Sequence, residues 1–501
     1  MRGTLLLWLA VSILLLATKG LEGFSYRGES GYGDGPAYSA IQLFSRTGGM
    51  YPDPSATATL GAIRAYGPLY YLIFYTFKVA PPSGWDLMAM RAAVVAAVLF
   101  GAFAVSQLAV KTFAMPSLRW LVFANILSLP LLRSWITQLR GDFFAISLNV
   151  LALLLITSTG AAHLRLTLLA GLVAGLAPCI KFSYLTGCLT AVLWLLLWGQ
   201  WRRALLFVSG VTTTLILVFG VTAWREPLFL RHVLLFSRTI VTDHYGQFYL
   251  FLDVFRDPLM LTGISGAVTI LPRWRDRRIS LLLIYVAVSG IVAVLTSAHA
   301  GANVNYYFES AMALMVFAAL GVSWLIRLER QMAPGQPEIR MLVTCGFLLS
   351  LVFFVKPLLV NGHRDTSASH IRVSLKNRRF EQLRQLRDLR ILSFSPDATM
   401  ATGAALIEDP YGFTSLSIRG VIDISPLRSQ IEAREFDVVV FDQEHTGWRG
   451  IPTVDPALVP VVQQHYSRHC EISGIILFLR KEPDPTRNAG IIEKIRHIEC
   501  R

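Results

Sequence analysis

Long apolar runs constrain this chain more than any other feature of its sequence. A helix needs about 20 mostly apolar residues to cross the bilayer core, because it rises about 1.5 Å per residue. Only 16% of the residues are charged, whereas a soluble domain has about 25%. The sequence therefore predicts an α-helical polytopic membrane protein of about eleven spans. The runs fall near residues 4–19, 90–110, 118–136, 143–159, 165–180, 182–199, 204–223, 257–272, 279–297, 304–326 and 341–360.

Basic residues between the runs predict the topology. A further run at 68–82, "PLYYLIFYTFKVAPP", is too short for a comfortable span. If it does not cross and the N-terminus is cytoplasmic, the basic residues between spans fall inside, as the positive-inside rule requires. We therefore expect the N-terminus inside, the C-terminus outside, and 68–82 as a helix at the outer interface. The basic residues are Lys111, Arg119, Arg165, Arg202, Arg203, Arg327, Arg330, Arg340 and the cluster at 273–278.

The composition changes after residue 361, where charge rises and long apolar runs stop. An amphipathic helix is predicted near 369–390, followed by strands and helices in alternation, which is typical of a small α/β domain. The predicted strands are 391–395, 436–442 and 472–480, and the predicted helices are 425–434 and 456–466. We expect a membrane domain at 1–361 and an extracytoplasmic α/β domain at 362–501. Whether Cys470 and Cys500 of that domain form a disulfide stays open.

Polar residues cluster at one depth of this membrane protein. In the predicted topology they lie in outer segments or at the outer ends of spans. A transporter normally has its site near the bilayer midplane, so this placement favours chemistry on an extracytoplasmic substrate. The residues are Asp34, Asp53, Arg140, Asp142, Lys181, His299, Asn303, Asn305 and Glu309.

The stretch "GYGDGPAYS", residues 31–39, carries the first candidate. Asp34 has glycine on both sides, so a substrate can approach its carboxylate closely. Tyr38 follows four residues later and shares a face with Asp34 if a helix begins at Pro36. The structural alternative is that Asp34 only caps that helix.

Four further segments supply candidate binding groups, each with a structural alternative. Arg140 and Asp142 precede a span; either both belong to a site, or Asp142 caps the helix and Arg140 lies at the membrane interface. Lys181 joins two spans and is either held in the protein or snorkels to the interface. Asn305, Tyr306 and Glu309 either bind a polar ligand or satisfy one another. The third predicted outer segment is about residues 224–256. Its basic residues suit a phosphate or lipid headgroups, namely Arg225, Arg231, His232 and Arg238.

No metal-binding pattern emerges from these segments. The stretch "DQEHTGW" holds Asp442, Glu444 and His445, and a plain loop is favoured there over a metal site. No cofactor is predicted with certainty, and a divalent metal is left open. The formal net charge of +14 is not accompanied by an aromatic-interleaved basic patch, so nucleic acid is not an expected partner.

The motifs in their order resemble the GT-C class of integral membrane glycosyltransferases, and within it the protein-mannosyltransferase and aminoarabinose-transferase branch. The resemblance covers most of residues 1–360. It rests on "GDGPAYSAIQLFSRTGGMYPDP", "AYGPLYYLIFY", "RGDFFAISLNVLALLL", "CIKFSYL" and "GANVNYYFE". It implies that Asp34 is the catalytic base and that Asp142 is the second-loop acid. Many members have two adjacent acids in the first loop, whereas this chain has Gly33 and Gly35 beside Asp34.

The resemblance also implies a polyprenyl-phosphate sugar donor and an active site that faces the periplasm or exterior of the inner membrane. A carboxylate that takes the proton of the attacking hydroxyl, with cations around the departing lipid phosphate, would transfer the sugar with inversion. Lys181, Arg140 and a basic residue of 225–238 are the expected cations. The acceptor is a lipid, a glycan or a protein. The alternatives are a lipid or sugar transporter or flippase, a membrane scaffold, and a ligase of preassembled glycans.

Overall fold

The structure is a computed structural model, and it describes most of the chain. The described residues are 2–28, 34–54, 64, 66–77, 84–133, 135–158, 163–238, 244–297, 303–331, 373–403, 407, 410–442, 452–481 and 492–493.

Fifteen helices make up the described part of residues 1–331. They are α1 Arg2–Ser25, α2 Asp34–Thr47, α3 Pro68–Tyr75, α4 Gly84–Phe113, α5 Leu118–Ser128, α6 Pro130–Arg133, α7 Asp142–Ile156, α8 His163–Ile180, α9 Thr186–Leu197, α10 Trp201–Arg225, α11 Phe229–Ser237, α12 His244–Phe255, α13 Pro258–Ile270, α14 Arg277–Thr296 and α15 Phe308–Gln331. Short 3₁₀ turns at Leu271–Arg273 and Val304–Tyr307 follow α13 and precede α15.

Six of the helices in the described residues are long and apolar enough to cross a membrane, and a bent pair brings the number to seven. The bent pair joins Gln247–Phe255 to Pro258–Arg273 at 85°. Three shorter apolar helices, α5, α7 and α9, occupy further predicted spans. The chain is therefore a helical polytopic membrane protein, as its sequence predicts.

Ten of the eleven predicted spans coincide with helices, and the eleventh, at 341–360, lies outside the described residues. The ambiguous run at 68–82 forms only the eight-residue helix α3. At 1.5 Å per residue it is about 12 Å long, too short to cross the bilayer core. The exact number of spans and their direction stay predictions.

Glycines bring the apolar helices of this fold into close contact. A Cβ on Gly171 of α8 would lie 2.2 Å from the carbonyl oxygen of Phe207 in α10. A Cβ on Gly266 of α13 would lie 2.5 Å from the carbonyl oxygen of Phe317 in α15. Small residues at such crossings let helix backbones approach closely, which favours packing inside a membrane.

The C-terminal part contains a four-stranded sheet with helices around it. A helix at 373–384, which we name α16, precedes the sheet. The strands are β1 Ile391–Ser393, β2 Val438–Asp442, β3 Tyr466–Ile472 and β4 Ile475–Arg480, in the order β1-β2-β4-β3. Strand β1 pairs parallel with β2, and the other two pairings are antiparallel. The helices are α17 Pro396–Thr402, α18 Pro410–Ile418, α19 Ser425–Glu432 and α20 Leu458–His465.

The predicted small α/β domain is thus confirmed in its fold, although β3 was not predicted. Its residues 467–469 are exposed and polar because β3 lies at the edge of the sheet. The amphipathic helix predicted near 369–390 is confirmed in part, because α16 ends at residue 384 and turns follow it. Leu383 of the helix and Leu386 just after it are fully buried in a cluster with strand residues. The boundary at residue 361 stays a prediction.

The C-terminal domain packs directly against the beginning of α2. A Cβ on Gly35 would lie 2.5 Å from Cβ of Pro396, the first residue of α17. The Arg27 guanidinium donates to Glu381 of α16 at 2.7 Å, and the side chain of Leu235 of α11 joins a hydrophobic cluster of the C-terminal domain. These contacts fix the domain beside Asp34.

Candidate active site

Asp34 is the first residue of α2 and is fully buried. Arg91 of α4 donates to its Oδ2 at 2.9 Å, and the backbone N–H of Leu139 donates to its Oδ1 at 2.5 Å. Arg91 also donates to the carbonyl oxygens of Gly23 and Gly28 at 2.8 and 2.6 Å. A buried carboxylate needs such compensation to stay ionised. Through these bonds, Asp34 joins the first predicted outer segment, about residues 20–89, to α4 and to the segment before α7.

Arg91 did not appear among the candidates predicted from sequence. The signal was present, because Arg91 is a basic residue at the start of the apolar run 90–110, and an ionisable residue in such a run is a functional candidate by default. Its carboxylate partner lies 57 positions away in sequence, and that separation hides the pairing.

Asp142 is the first residue of α7 and accepts from three side chains in two other segments. Its Oδ1 accepts hydrogen bonds from Lys181 Nζ at 2.7 Å, Tyr184 Oη at 2.7 Å and Asn305 Nδ2 at 3.0 Å. Its Oδ2 is buried and accepts no hydrogen bond from any residue that the structure describes. Three of the predicted site residues therefore converge, and Tyr184 is added to them.

Aromatic rings surround the two cations of this cluster. The Arg140 guanidinium lies 4.6 Å from the ring centre of Trp135, and the Lys181 ammonium lies 4.4 Å from that of Tyr306. Tyr66 stacks on Tyr70 with ring centres 4.2 Å apart, and its hydroxyl is 3.5 Å from Arg140 Nη1. Cations over aromatic faces are attracted by the ring quadrupole. Positive charge is thus held at the cluster with little freedom to move.

A short backbone segment links Asp34 to Asp142. The N–H of Leu139 donates to Asp34, and its carbonyl oxygen accepts from Tyr70 Oη at 2.6 Å. Asp142 follows three residues later, so both acids are positioned by one stretch of chain. Gly67 packs directly against the backbone just before Lys181. A Cβ at position 67 would lie 2.1 Å from the carbonyl oxygen of Cys179, so no larger residue fits there.

Glu309 lies in a separate hydrogen-bond network in which both of its carboxylate oxygens accept. Its Oε1 accepts from Asn149 Nδ2 of α7 at 3.0 Å and from Tyr285 Oη of α14 at 2.8 Å. Its Oε2 accepts from the Thr186 hydroxyl of α9. Glu309 therefore ties four helices together, one turn of α15 away from Asn305.

Three basic residues of the third outer segment lie on or just after α11, and the fourth, Arg225, ends α10. Arg231 pairs with Asp53 at 2.9 Å, and this pair is half-exposed. His232 is buried, where its Nδ1 accepts from the Arg64 backbone N–H at 3.1 Å and its Nε2 faces the Pro52 carbonyl oxygen at 2.7 Å. Burial lowers the pKa of His232 to about 4. Arg238 is exposed, and its carbonyl oxygen accepts from Arg419 of the C-terminal domain at 2.8 Å.

The remaining candidates are placed as follows. Tyr38 lies one turn after Asp34 on α2, where burial raises the pKa of its phenol and Gln42 hydrogen bonds to it. Asp442 accepts from the Ser395 hydroxyl at 3.0 Å. His299, Glu444 and His445 lie outside the described residues. Within the described ranges, no group of three His, Cys, Asp or Glu side chains is arranged to hold a metal ion.

Solved structures similar to this chain include those of two glycosyltransferases from different organisms. ArnT from Cupriavidus metallidurans in the apo state has 15% sequence identity and a TM-score of 0.59, over 95% of this chain and 98% of that chain. ArnT bound to undecaprenyl phosphate has 14% identity and a TM-score of 0.61 over the same shares. The apo oligosaccharyltransferase from Archaeoglobus fulgidus has 12% identity and a TM-score of 0.54, over 94% of this chain and 75% of that chain.

No protein-family model matches the chain, and no curated protein matches it in sequence. ArnT is an aminoarabinose transferase, and both it and the archaeal oligosaccharyltransferase are GT-C glycosyltransferases. At identities this low, the similarity establishes a shared architecture. The chain therefore has the GT-C type of polytopic membrane fold, with a small C-terminal α/β domain, as its ordered motifs predicted.

Proposed function

We propose that this chain is a glycosyltransferase that moves a sugar from a polyprenyl-phosphate-linked donor to a lipid, glycan or protein acceptor. The observation that carries the proposal is that one backbone segment of a GT-C fold positions two buried acids, Asp34 and Asp142. Lys181 pairs with Asp142, and Arg140 lies on the same segment over the ring of Trp135. The similar ArnT structure was solved with undecaprenyl phosphate bound, which supports the class of donor.

Asp34 acts as the general base in this proposal. The acceptor oxygen attacks the anomeric carbon, the bond from that carbon to the phosphate oxygen breaks, and the lipid phosphate leaves with the electron pair. The acceptor proton passes to the Asp34 carboxylate, which is paired with the Arg91 guanidinium. One displacement of this kind inverts the anomeric centre. Both Asp34 oxygens already accept hydrogen bonds, and a carboxylate oxygen has a second lone pair that can accept from the acceptor hydroxyl.

Lys181 and Arg140 stabilise the departing phosphate in the same proposal. Charge that develops on the leaving group is best met by cations already in place, because they need not reorganise during the reaction. Both cations lie against aromatic rings and near Asp142. Arg231, His232 and Arg238 belong to the outer segment, where the arginines add positive potential that attracts the lipid phosphate to the site.

We further propose that the site faces the periplasm or exterior from the inner membrane. The distribution of basic residues favours this direction. Cys470 of the C-terminal domain is disulfide-bonded, and disulfides persist mainly in oxidising compartments. The C-terminal domain contacts Gly35, next to Asp34, so the domain and the first acid share one side of the membrane.

The purified protein tests this proposal with undecaprenyl phosphate carrying a radiolabelled sugar. Incubation with membrane lipid, glycan and protein fractions should release undecaprenyl phosphate and move the label into one fraction. The matched comparison uses the Asp53→Asn variant, in which a half-exposed acid of the same outer segment is neutralised; it should keep most of the activity. Movement of the intact labelled lipid across vesicles, with no release of undecaprenyl phosphate, would favour a flippase and contradict the proposal.

A further inference from the structure

Two buried oxygens of the Asp142 cluster, on two residues that are hydrogen-bonded to each other, accept no hydrogen bond from any residue in the described ranges. They are Asp142 Oδ2 and Asn305 Oδ1. Asp142 is fully buried, and 1% of Asn305 is exposed. A buried acceptor without a donor costs free energy, and native proteins rarely leave one so. Two on adjoining groups indicate a ligand that brings donors.

The orientation of the Asn305 amide is fixed by its neighbour. Its Nδ2 donates to Asp142 Oδ1 at 3.0 Å, and the opposite orientation would place the amide oxygen against the carboxylate. The two unused acceptors therefore belong to groups already joined by a hydrogen bond. A ligand that bonds to both needs two donors close together.

Charge around the pair decides which ligand fits. The Lys181 ammonium is 2.7 Å from Asp142 Oδ1, so this carboxylate is already paired with a cation, and Arg140 lies two residues before it. A metal ion or an ammonium group would meet this positive charge. A phosphate carries hydrogen-bond acceptors, so it would place acceptors against the two oxygens, which need donors. A neutral group with two adjacent hydroxyls, each able to donate one hydrogen bond, satisfies both oxygens.

We propose that Asp142 Oδ2 and Asn305 Oδ1 bind two adjacent hydroxyls of the transferred sugar, and that the protein therefore takes a neutral sugar in preference to an amino sugar. This inference rests on the proposed glycosyl transfer. The more exposed groups of the cluster are Tyr66 and Tyr306, which are half-buried. Their rings pair an apolar face with a polar tip, which suits contact with a sugar at the entrance.

Binding measurements on the intact protein in detergent test the proposal without an acceptor present. The probes are undecaprenyl phosphate alone, undecaprenyl phosphate linked to glucose, mannose, galactose or arabinose, and undecaprenyl phosphate linked to 4-aminoarabinose. At least one neutral donor should bind tenfold or more tightly than undecaprenyl phosphate alone, and more tightly than the amino donor. Removing either of two adjacent hydroxyls from that donor should cancel most of its gain in affinity over undecaprenyl phosphate alone.

A variant separates the sugar contact from the lipid contact. Asn305→Leu should lose the extra affinity that the sugar gives the donor, and it should keep the affinity for undecaprenyl phosphate alone. Asn303→Ser is the matched control, because serine also caps the 3₁₀ turn that Asn303 caps, and it should keep the gain.

Three results would overturn the inference. The first is that the amino donor binds most tightly. The second is that every deoxy form of the best donor binds as tightly as that donor. The third is that Asn305→Leu still binds the best donor more tightly than undecaprenyl phosphate alone, by the same factor as the wild type. Equal affinities of the deoxy donors would mean that only water, or a hydroxyl of the acceptor, donates hydrogen bonds to these oxygens. Failure of undecaprenyl phosphate to bind at all would instead contradict the proposed function itself.

Discussion

At the scale of single residues, the two acids of the site differ in how they are held. Both oxygens of Asp34 accept hydrogen bonds, one of them from Arg91 in a fully buried ion pair. Asp142 concentrates three donors on one oxygen. Breaking a buried ion pair by removing one partner typically costs about 3–5 kcal/mol. Neutral substitutions of similar shape are therefore better probes of these acids than truncations.

His232 predicts how stability depends on pH. Its pKa is about 4 in the fold and about 6.5 in an unfolded chain. Between these values the unfolded chain binds more protons, so stability falls as the pH decreases. The expected loss from this residue between pH 8 and pH 5 is on the order of 2 kcal/mol.

Thermal unfolding of the wild type and of His232→Gln at pH 8 and pH 5 measures this effect. Glutamine can accept from the Arg64 N–H and donate to the Pro52 carbonyl oxygen, but it does not titrate. The variant should therefore lose less stability than the wild type on acidification. An equal loss in both proteins would show that His232 is not the group responsible.

At the scale of elements, the candidate site sits where several helices begin or end. Asp142 begins α7, Lys181 follows α8, and Asn305 lies in the turn before α15. One turn further along α15, Glu309 bonds to side chains of α7, α9 and α14. This network holds the helices whose ends carry the site, so Glu309 is a positioning residue.

Replacing Glu309 should destabilise the protein more than it alters chemistry. Glu309→Ala leaves Asn149, Thr186 and Tyr285 buried without their acceptor, at an expected cost of about 3 kcal/mol or more. Glu309→Gln keeps an oxygen acceptor and should lose roughly half as much or less. Thermal unfolding in detergent gives both values. An alanine variant as stable as the wild type would rule out the positioning role.

Sequence periodicity predicts elements well here and their partners poorly. The long apolar runs match helices, and the predicted strands at 391–395, 436–442 and 472–480 match β1, β2 and β4. Asp142, Lys181 and Asn305 were grouped by their predicted depth in the membrane, and their side chains are in contact in the structure. Ends of packed spans at one depth lie close together. Predicted depth did not reveal Arg91 as the partner of Asp34, nor the Glu309 network. Such pairings depend on how helices pack around one another, which a single sequence does not specify.

At the scale of the whole molecule, the C-terminal domain is part of the site's surroundings. Its helix α17 packs on Gly35, and a cluster of its core includes Leu235 of α11. The first outer segment is thereby held between the membrane helices and the sheet domain. The predicted direction of the chain places all of these on one side.

Impermeant thiol labelling of intact cells tests that direction. Arg428→Cys, on an exposed face of α19, should be labelled from outside. Arg275→Cys, in the exposed turn before α14, should be labelled only after the membrane is permeabilised. The free cysteines Cys179 and Cys188 are buried and give little background. Labelling of Arg275→Cys in intact cells would overturn the predicted topology.

The central claim is that Asp34 is the base of a sugar transfer. Its most direct test compares the initial rate of transfer from the labelled undecaprenyl-phosphate sugar for the wild type and for Asp34→Asn. Asparagine keeps the shape and can still bond to Arg91, but it cannot take the proton. General-base catalysis typically contributes about 10²–10⁴-fold, so the variant should fold, bind undecaprenyl phosphate and transfer at least about a hundredfold more slowly. Transfer at the wild-type rate by a folded Asp34→Asn protein would contradict the account.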